Sequence, residues 1–120
     1  MDKQKFTTIK QIFTAQAVAA GGTATSSAVD ITMCGGDCTL YLEITGDGTL
    51  TASYSITLDE SDYVTPDGVS YIKAGLTKTS GTSGKIAIAF QPKIGSQLKI
   101  TLTETGVAST NTVTGYLAVR

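Results

Sequence analysis

Apolar and polar residues alternate strictly along much of this chain, and a period of two predicts strands. Over 39–45, TLYLEIT, Leu40, Leu42 and Ile44 share one face while Thr39, Tyr41 and Glu43 take the other. Over 49–57, TLTASYSIT, Leu50, Ala52, Tyr54 and Ile56 face one way and Thr and Ser the other. Over 97–104, QLKITLTE, the apolar set is Leu98, Ile100 and Leu102. Over 112–119, TVTGYLAV, it is Val113, Leu117 and Val119, with Gly115 in the same register. A glycine at an inward strand position predicts a close neighbour or a bulge.

The segments between these strands are turn-forming. TGDGT (45–49) predicts a hairpin between the first two, because glycine takes the positive φ that tight turns demand. TGVASTN (105–111) predicts a second hairpin with a longer loop between the last two. Weaker strand patterns lie at 27–33, 69–75 and 85–90, the last two preceded by the turn segments TPDGVS (65–70) and TSGTSG (79–84). Residues 6–20, FTTIKQIFTAQAVAA, are ambiguous: Phe6, Ile9 and Phe13 would align on a helix, yet the composition suits an extended strand or arm. The sum is about seven to nine short strands without a firm helix. That pattern is an all-β fold, an antiparallel β-sandwich or jelly-roll-like barrel. Residues 1–13 are read as an N-terminal arm and 14–120 as a single β domain.

Composition agrees. A chain of 120 residues that is 41% hydrophobic and 16% charged is too apolar for disorder and long enough for one core. A net charge of −1, with nine Lys and Arg against ten acids, lacks the cationic field of a nucleic-acid binder. No apolar run is long enough to cross a bilayer as a helix. The opening MDKQKFTTIKQIF lacks the unbroken apolar segment of a secretory signal, so folding in a cytoplasm is expected.

Histidine is absent, which removes the usual general base and the Ser-His and Cys-His nucleophile pairs. Carboxylates cluster once, at LDESDYVTPDG (58–68), where Asp59, Glu60 and Asp62, with Asp67 beyond them, are the candidate calcium ligands. Their spacing departs from the EF-hand pattern, and a solvated acidic loop is the favoured reading, so no metal is expected. With no tryptophan and few phenylalanines, no aromatic-lined sugar pocket is evident. An enzyme is not expected, nor a cofactor.

MCGGDC (33–38) holds both cysteines. Its C-x-x-x-C spacing before a strand is not the C-x-x-C of a redox helix, and two thiols without imidazole fall short of a zinc site. If the strands on either side pair, the apolar register sets Met33 against Cys38, Ile31 against Leu40 and Val29 against Leu42. Residues 34–37 then form a four-residue turn with Cys34 in the loop and Cys38 opening a strand. That geometry, like a cytoplasmic origin, disfavours a disulfide.

AVAAGGTATSSAVDI (17–31), ITGDGTLTASYSI (44–56) and LKITLTETGVASTNTVTGYLAVR (98–120) together resemble a group of small virion proteins of tailed bacteriophages and prophages. The similarity covers most of residues 14–120. It implies a structural part of a phage particle, a decoration or cement protein on the head that binds the major capsid protein lattice. Such proteins are often trimers, so a homotrimer is expected, on the capsid surface of particles assembled in the bacterial cytoplasm. Phe6, Ile9 and Phe13 are the candidate contacts to a neighbouring subunit or the capsid, since on a loose arm they would be exposed apolar groups. Two other readings remain at this point: a host-glycan-binding module of a tail fibre or spike, and a free-standing, calcium-dependent binding module.

Overall fold

The computed structural model describes residues 8–32, 36–59, 61–65, 71–79, 84–92, 95–106 and 109–120. Nine strands follow one another: β1 (Thr8–Val18), β2 (Thr23–Thr25), β3 (Val29–Asp30), β4 (Cys38–Thr45), β5 (Leu50–Thr57), β6 (Tyr71–Leu76), β7 (Lys85–Phe90), β8 (Gln97–Glu104) and β9 (Asn111–Val119). They form two antiparallel sheets. Sheet A runs β1-β9-β4-β7; sheet B runs β2-β8-β5-β6, with β3 also paired to β8. The expected all-β sandwich is the observed architecture.

The alternation explains the core. In sheet B, Ala52 stands opposite Leu102, Tyr54 opposite Ile100 and Ile56 opposite Leu98. In sheet A, Leu40 lies between Leu117 and Ile88. These inward rows meet between the sheets: Leu40, Leu50, Leu98, Ile100, Leu102, Val113 and Leu117 are all completely buried. The rings of Tyr54 from sheet B and Phe90 from sheet A approach to 5.6 Å between centroids. Burying a Leu or Ile side chain contributes about 1.5–3 kcal/mol, so these rows hold the sandwich shut.

Both expected hairpins are absent, and the correction matters. β4 lies in sheet A between β7 and β9, whereas β5 lies in sheet B between β6 and β8. The TGDGT segment therefore carries the chain across the sandwich rather than back along one sheet. The link between β8 and β9 makes the reverse crossing. Alternation reports that a strand has one buried face, and a strand satisfies it equally by facing another sheet. The pairing assumed across MCGGDC fails for the same reason. β3 pairs β8, while Cys38 opens β4, as expected, but between Phe90 and Val119. Cys34 lies outside the described residues.

Buried polar side chains tie the two crossings together. Asn111, fully buried, accepts a hydrogen bond at Oδ1 from the Gly48 N–H (2.7 Å) and donates from Nδ2 to the Gly48 carbonyl (3.1 Å). Glu104, 1% exposed, accepts from the N–H groups of Gly21 (2.8 Å), Thr49 (3.0 Å) and Gly106 (3.0 Å). The Thr105 N–H donates to the Thr49 carbonyl at 2.9 Å. The glycines of TGDGT serve this close approach. Gly46 has φ +98°, and a Cβ on Gly48 would stand 2.7 Å from both Asn111 Oδ1 and the Ser109 carbonyl. The crossing thus needs glycine for proximity as much as for turn geometry.

β1 is the other departure from expectation. Residues 8–13, read as part of an arm, are the first half of an eleven-residue strand on β9. Phe13 is 2% exposed and pairs with Gly115, where a Cβ would lie 3.1 Å from the Phe13 ring. The phenylalanine fills the space that the inward glycine leaves, and the register of β1 shifts on both sides of it. Phe13 belongs to the chain's own core and is not an exposed contact.

Candidate functional site

The residues singled out in the sequence do not converge. Phe6, Glu60 and Asp67 lie outside the described residues, and so does Cys34. Ile9 stands on β1, an edge of sheet A, with 65% of its surface exposed. It pairs with Ala118, so it points to the outer face that Gln11 and Tyr116 share.

Asp59 is engaged within its own turn. Its Oδ1 accepts from the Asp62 N–H (3.0 Å), the Ser61 N–H (3.0 Å) and the Thr57 hydroxyl (2.9 Å). These donors, the Asp62 N–H foremost, hold its carboxyl well below the ordinary carboxylate range. The segment is fastened to sheet B nearby. Val64 and Ile56 exchange backbone hydrogen bonds, Tyr63 donates its hydroxyl to Gln97, and Lys99 lies 4.3 Å from the Tyr63 ring centroid. An oxygen with three donors on it is poorly disposed to bind calcium. Among the described residues, no group of three or more acids or cysteines is placed to hold a metal.

What the structure does bring together is a set of side chains on the outer face of sheet A. Tyr41 on β4 stands directly opposite Tyr116 on β9, and on its other side opposite Ala87 on β7. Two residues on, Glu43 stands between Thr114 and Lys85. Tyr41 and Tyr116 are 44% and 41% exposed. With Leu42 and Ile86 they border an open depression of about 440 Å³. Ala87, opposite Tyr41, lines it with a short side chain.

The depression carries charge of both signs. Glu43 and Lys85 oppose one another in register without closing into an ion pair; the ion pair seen among the described residues joins Lys78 and Asp47 at 2.6 Å. The Thr114 hydroxyl accepts from the Ala15 N–H at 3.2 Å, where β1 takes a φ of +43°. Glu43 and Lys85 thus set hydrogen-bond acceptors and donors side by side at the rim of the depression. Alternation had already assigned Tyr41, Glu43, Thr114 and Tyr116 to outward faces. The missing information was that β4 and β9 are neighbours.

No family model matches the sequence, and a comparison with curated proteins found no match. Solved structures do share the fold. The VP2 subviral particle of infectious bursal disease virus matches with a TM-score of 0.64 at 14% identity, over 95% of this chain and 32% of the VP2 chain. This chain thus spans about a third of VP2. Protein YomS, derived from the SPBc2 prophage, matches at 0.50 with 9% identity, over 98% of this chain and 97% of its own. A subunit of Bacillus endospore appendages, described as disulfide-linked pili, matches at 0.52 with 14% identity, over 98% and 90%. At these identities the likeness is one of fold: the chain has the β-sandwich found in a viral capsid protein, a prophage-derived protein and a pilus subunit.

Proposed function

We propose that the chain is a non-enzymatic structural subunit of a tailed-phage particle, a decoration or cement protein that seats on the major capsid protein lattice and stabilises the head. The observation that carries the reading is edge strand β1. It is long, it ends the order of sheet A, and it holds Ile9 65% exposed just after the N-terminal segment that contains Phe6. The free edge of such a strand offers backbone N–H and C=O groups on which a second chain can pair, and an apolar side chain beside it adds contact area. Buried hydrogen bonds from Asn111 and Glu104 fasten the two crossings, which suits a part that must hold a lattice. The fold's occurrence in a capsid protein and a prophage-derived protein supports the same assignment. The subunit assembles as a homotrimer through the β1 edge, since closed symmetric oligomers cover such edges.

Sedimentation velocity of the full chain tests this, alongside Ile9→Glu and a form lacking residues 1–7. Truncation must stop before β1, because Phe13 is a core residue. A trimer is expected for the full chain and a folded monomer for Ile9→Glu, with a melting temperature lowered only by the lost subunit contacts. A monomeric wild type, or a trimer indifferent to both changes, overturns the assembly reading.

A further inference from the structure

From the outer face of sheet A we infer a second, separate property: the depression bounded by Tyr41, Tyr116, Glu43 and Lys85 is a binding site for a neutral mono- or disaccharide. Its volume of about 440 Å³ lies within the range of small-ligand sites, roughly 300–1,000 Å³. The depression is thus sized for a small molecule.

The chemistry of the lining narrows the class. Two half-exposed tyrosine rings on adjacent strands present apolar surface with a polar tip. A pyranose has the matching character, C–H groups across its face and hydroxyls around its rim. Beside the rings, Glu43 supplies acceptors and Lys85 supplies donors. Sugar hydroxyls both donate and accept, so one ring engages both ends. A phosphate or carboxylate ligand would meet Glu43 with repulsion, and a cation would meet Lys85. With one charge of each sign the site carries no net charge, which suits a ligand that carries none. Three of the four strands of sheet A supply these residues from regular positions, so the site is held by the ladder rather than by loops.

The site does not depend on the β1 edge, since it is built on β4, β7 and β9. Ile9 lies on the same outer face, paired with Ala118 two residues from Tyr116, so assay separates the two readings: Tyr41→Ala is expected to keep the sedimentation of the full chain while losing the saccharide response.

The test is a heteronuclear NMR titration of the full chain with glucose, galactose, N-acetylglucosamine and maltose, and with glycerol as a non-cyclic polyol control. At least one saccharide is expected to produce saturable shifts at the amides of 41–43, 85–87 and 114–116, with a millimolar dissociation constant. Tyr41→Ala and Tyr116→Ala are expected to weaken it by roughly tenfold or more. Tyr41→Phe, which keeps the ring, is expected to retain it, as is Leu58→Ala, at an exposed site away from this face. Melting curves confirm that each variant is folded. If no saccharide in the panel gives saturable shifts there, or if the shifts survive both alanine variants, the proposal is overturned. Shifts at the same amides that appear on raising protein concentration without sugar, and that block the sugar response, would identify a protein contact instead and equally overturn it.

Discussion

Replacing Asn111 by alanine is the sharpest probe of how the sandwich is closed. The amide makes two hydrogen bonds to one residue, accepting from the Gly48 N–H at 2.7 Å and donating to the Gly48 carbonyl at 3.1 Å, in a fully buried position. Alanine removes both partners and leaves the N–H and carbonyl of Gly48 in a dry corner. Each buried unsatisfied group costs about 1–3 kcal/mol, so the pair puts the loss at roughly 2–6 kcal/mol. That is a large share of the roughly 5–15 kcal/mol that holds a domain folded. Urea denaturation followed by tyrosine fluorescence should show a lower midpoint with an unchanged slope, because the surface exposed on unfolding is nearly the same. Asn111→Asp keeps the acceptor but sets a second carboxylate oxygen against the Gly48 carbonyl, so it should be at least as harmful. Asp47→Ala is the control in the same turn. Its ion pair with Lys78 is exposed, and such pairs contribute about 0–1 kcal/mol. If Asn111→Ala loses no more than Asp47→Ala, the buried amide is not what fastens the crossing.

Further changes test neighbouring parts of the structure. Glu104→Gln should cost about 1–3 kcal/mol by equilibrium denaturation, because one amide oxygen cannot serve three N–H donors and one is left unpaired. Phe13→Ala should cost about 3–5 kcal/mol by chemical denaturation, whereas Ile9→Ala on the same strand should cost the subunit far less, since Phe13 is buried and Ile9 is exposed. Gly48→Ala should destabilise through a contact with Asn111 and the Ser109 carbonyl that neither backbone nor buried amide can relieve, and thermal melts will register it. Asp30, Asp47 and Asp59 all have carboxyl groups held below the ordinary value of 3.8 by hydrogen bonds or by Lys78. Depressed carboxyl groups contribute stability that is fully present well above pH 4 and is lost as pH falls through their folded values. The melting temperature should therefore decline on acidification below about pH 4, and Asp59→Asn should flatten that decline.

Much of the fold was legible because alternation is a local property. Leu40, Leu42, Ile44, Leu98, Ile100 and Leu102 are buried as their patterns predict, and the inward glycine at 115 does mark a close neighbour, Phe13. What alternation does not encode is which strand lies beside which. Leu50 presents the same face to a partner across a hairpin as to a facing sheet, so the two crossings passed for hairpins. The information that separates them is non-local: Asn111 is 63 residues from Gly48, and Glu104 is 83 from Gly21. The tyrosine-lined depression was hidden for the same reason. Tyr41 and Tyr116 are 75 positions apart, 116 less 41, and become neighbours only when β4 pairs β9. Phe6, Ile9 and Phe13 shared an apolar character in the sequence, yet the register of β1 turns Ile9 outward and Phe13 inward.

The most direct test of the structural assignment is a cryo-electron microscopy reconstruction of the native particle, with the chain's density identified by its two-sheet outline. The proposal predicts copies on the outer surface of the head, clustered in threes, with β1 against a neighbour or the capsid shell. Density confined to the tail fibres, or particles that lack the chain altogether, would contradict it.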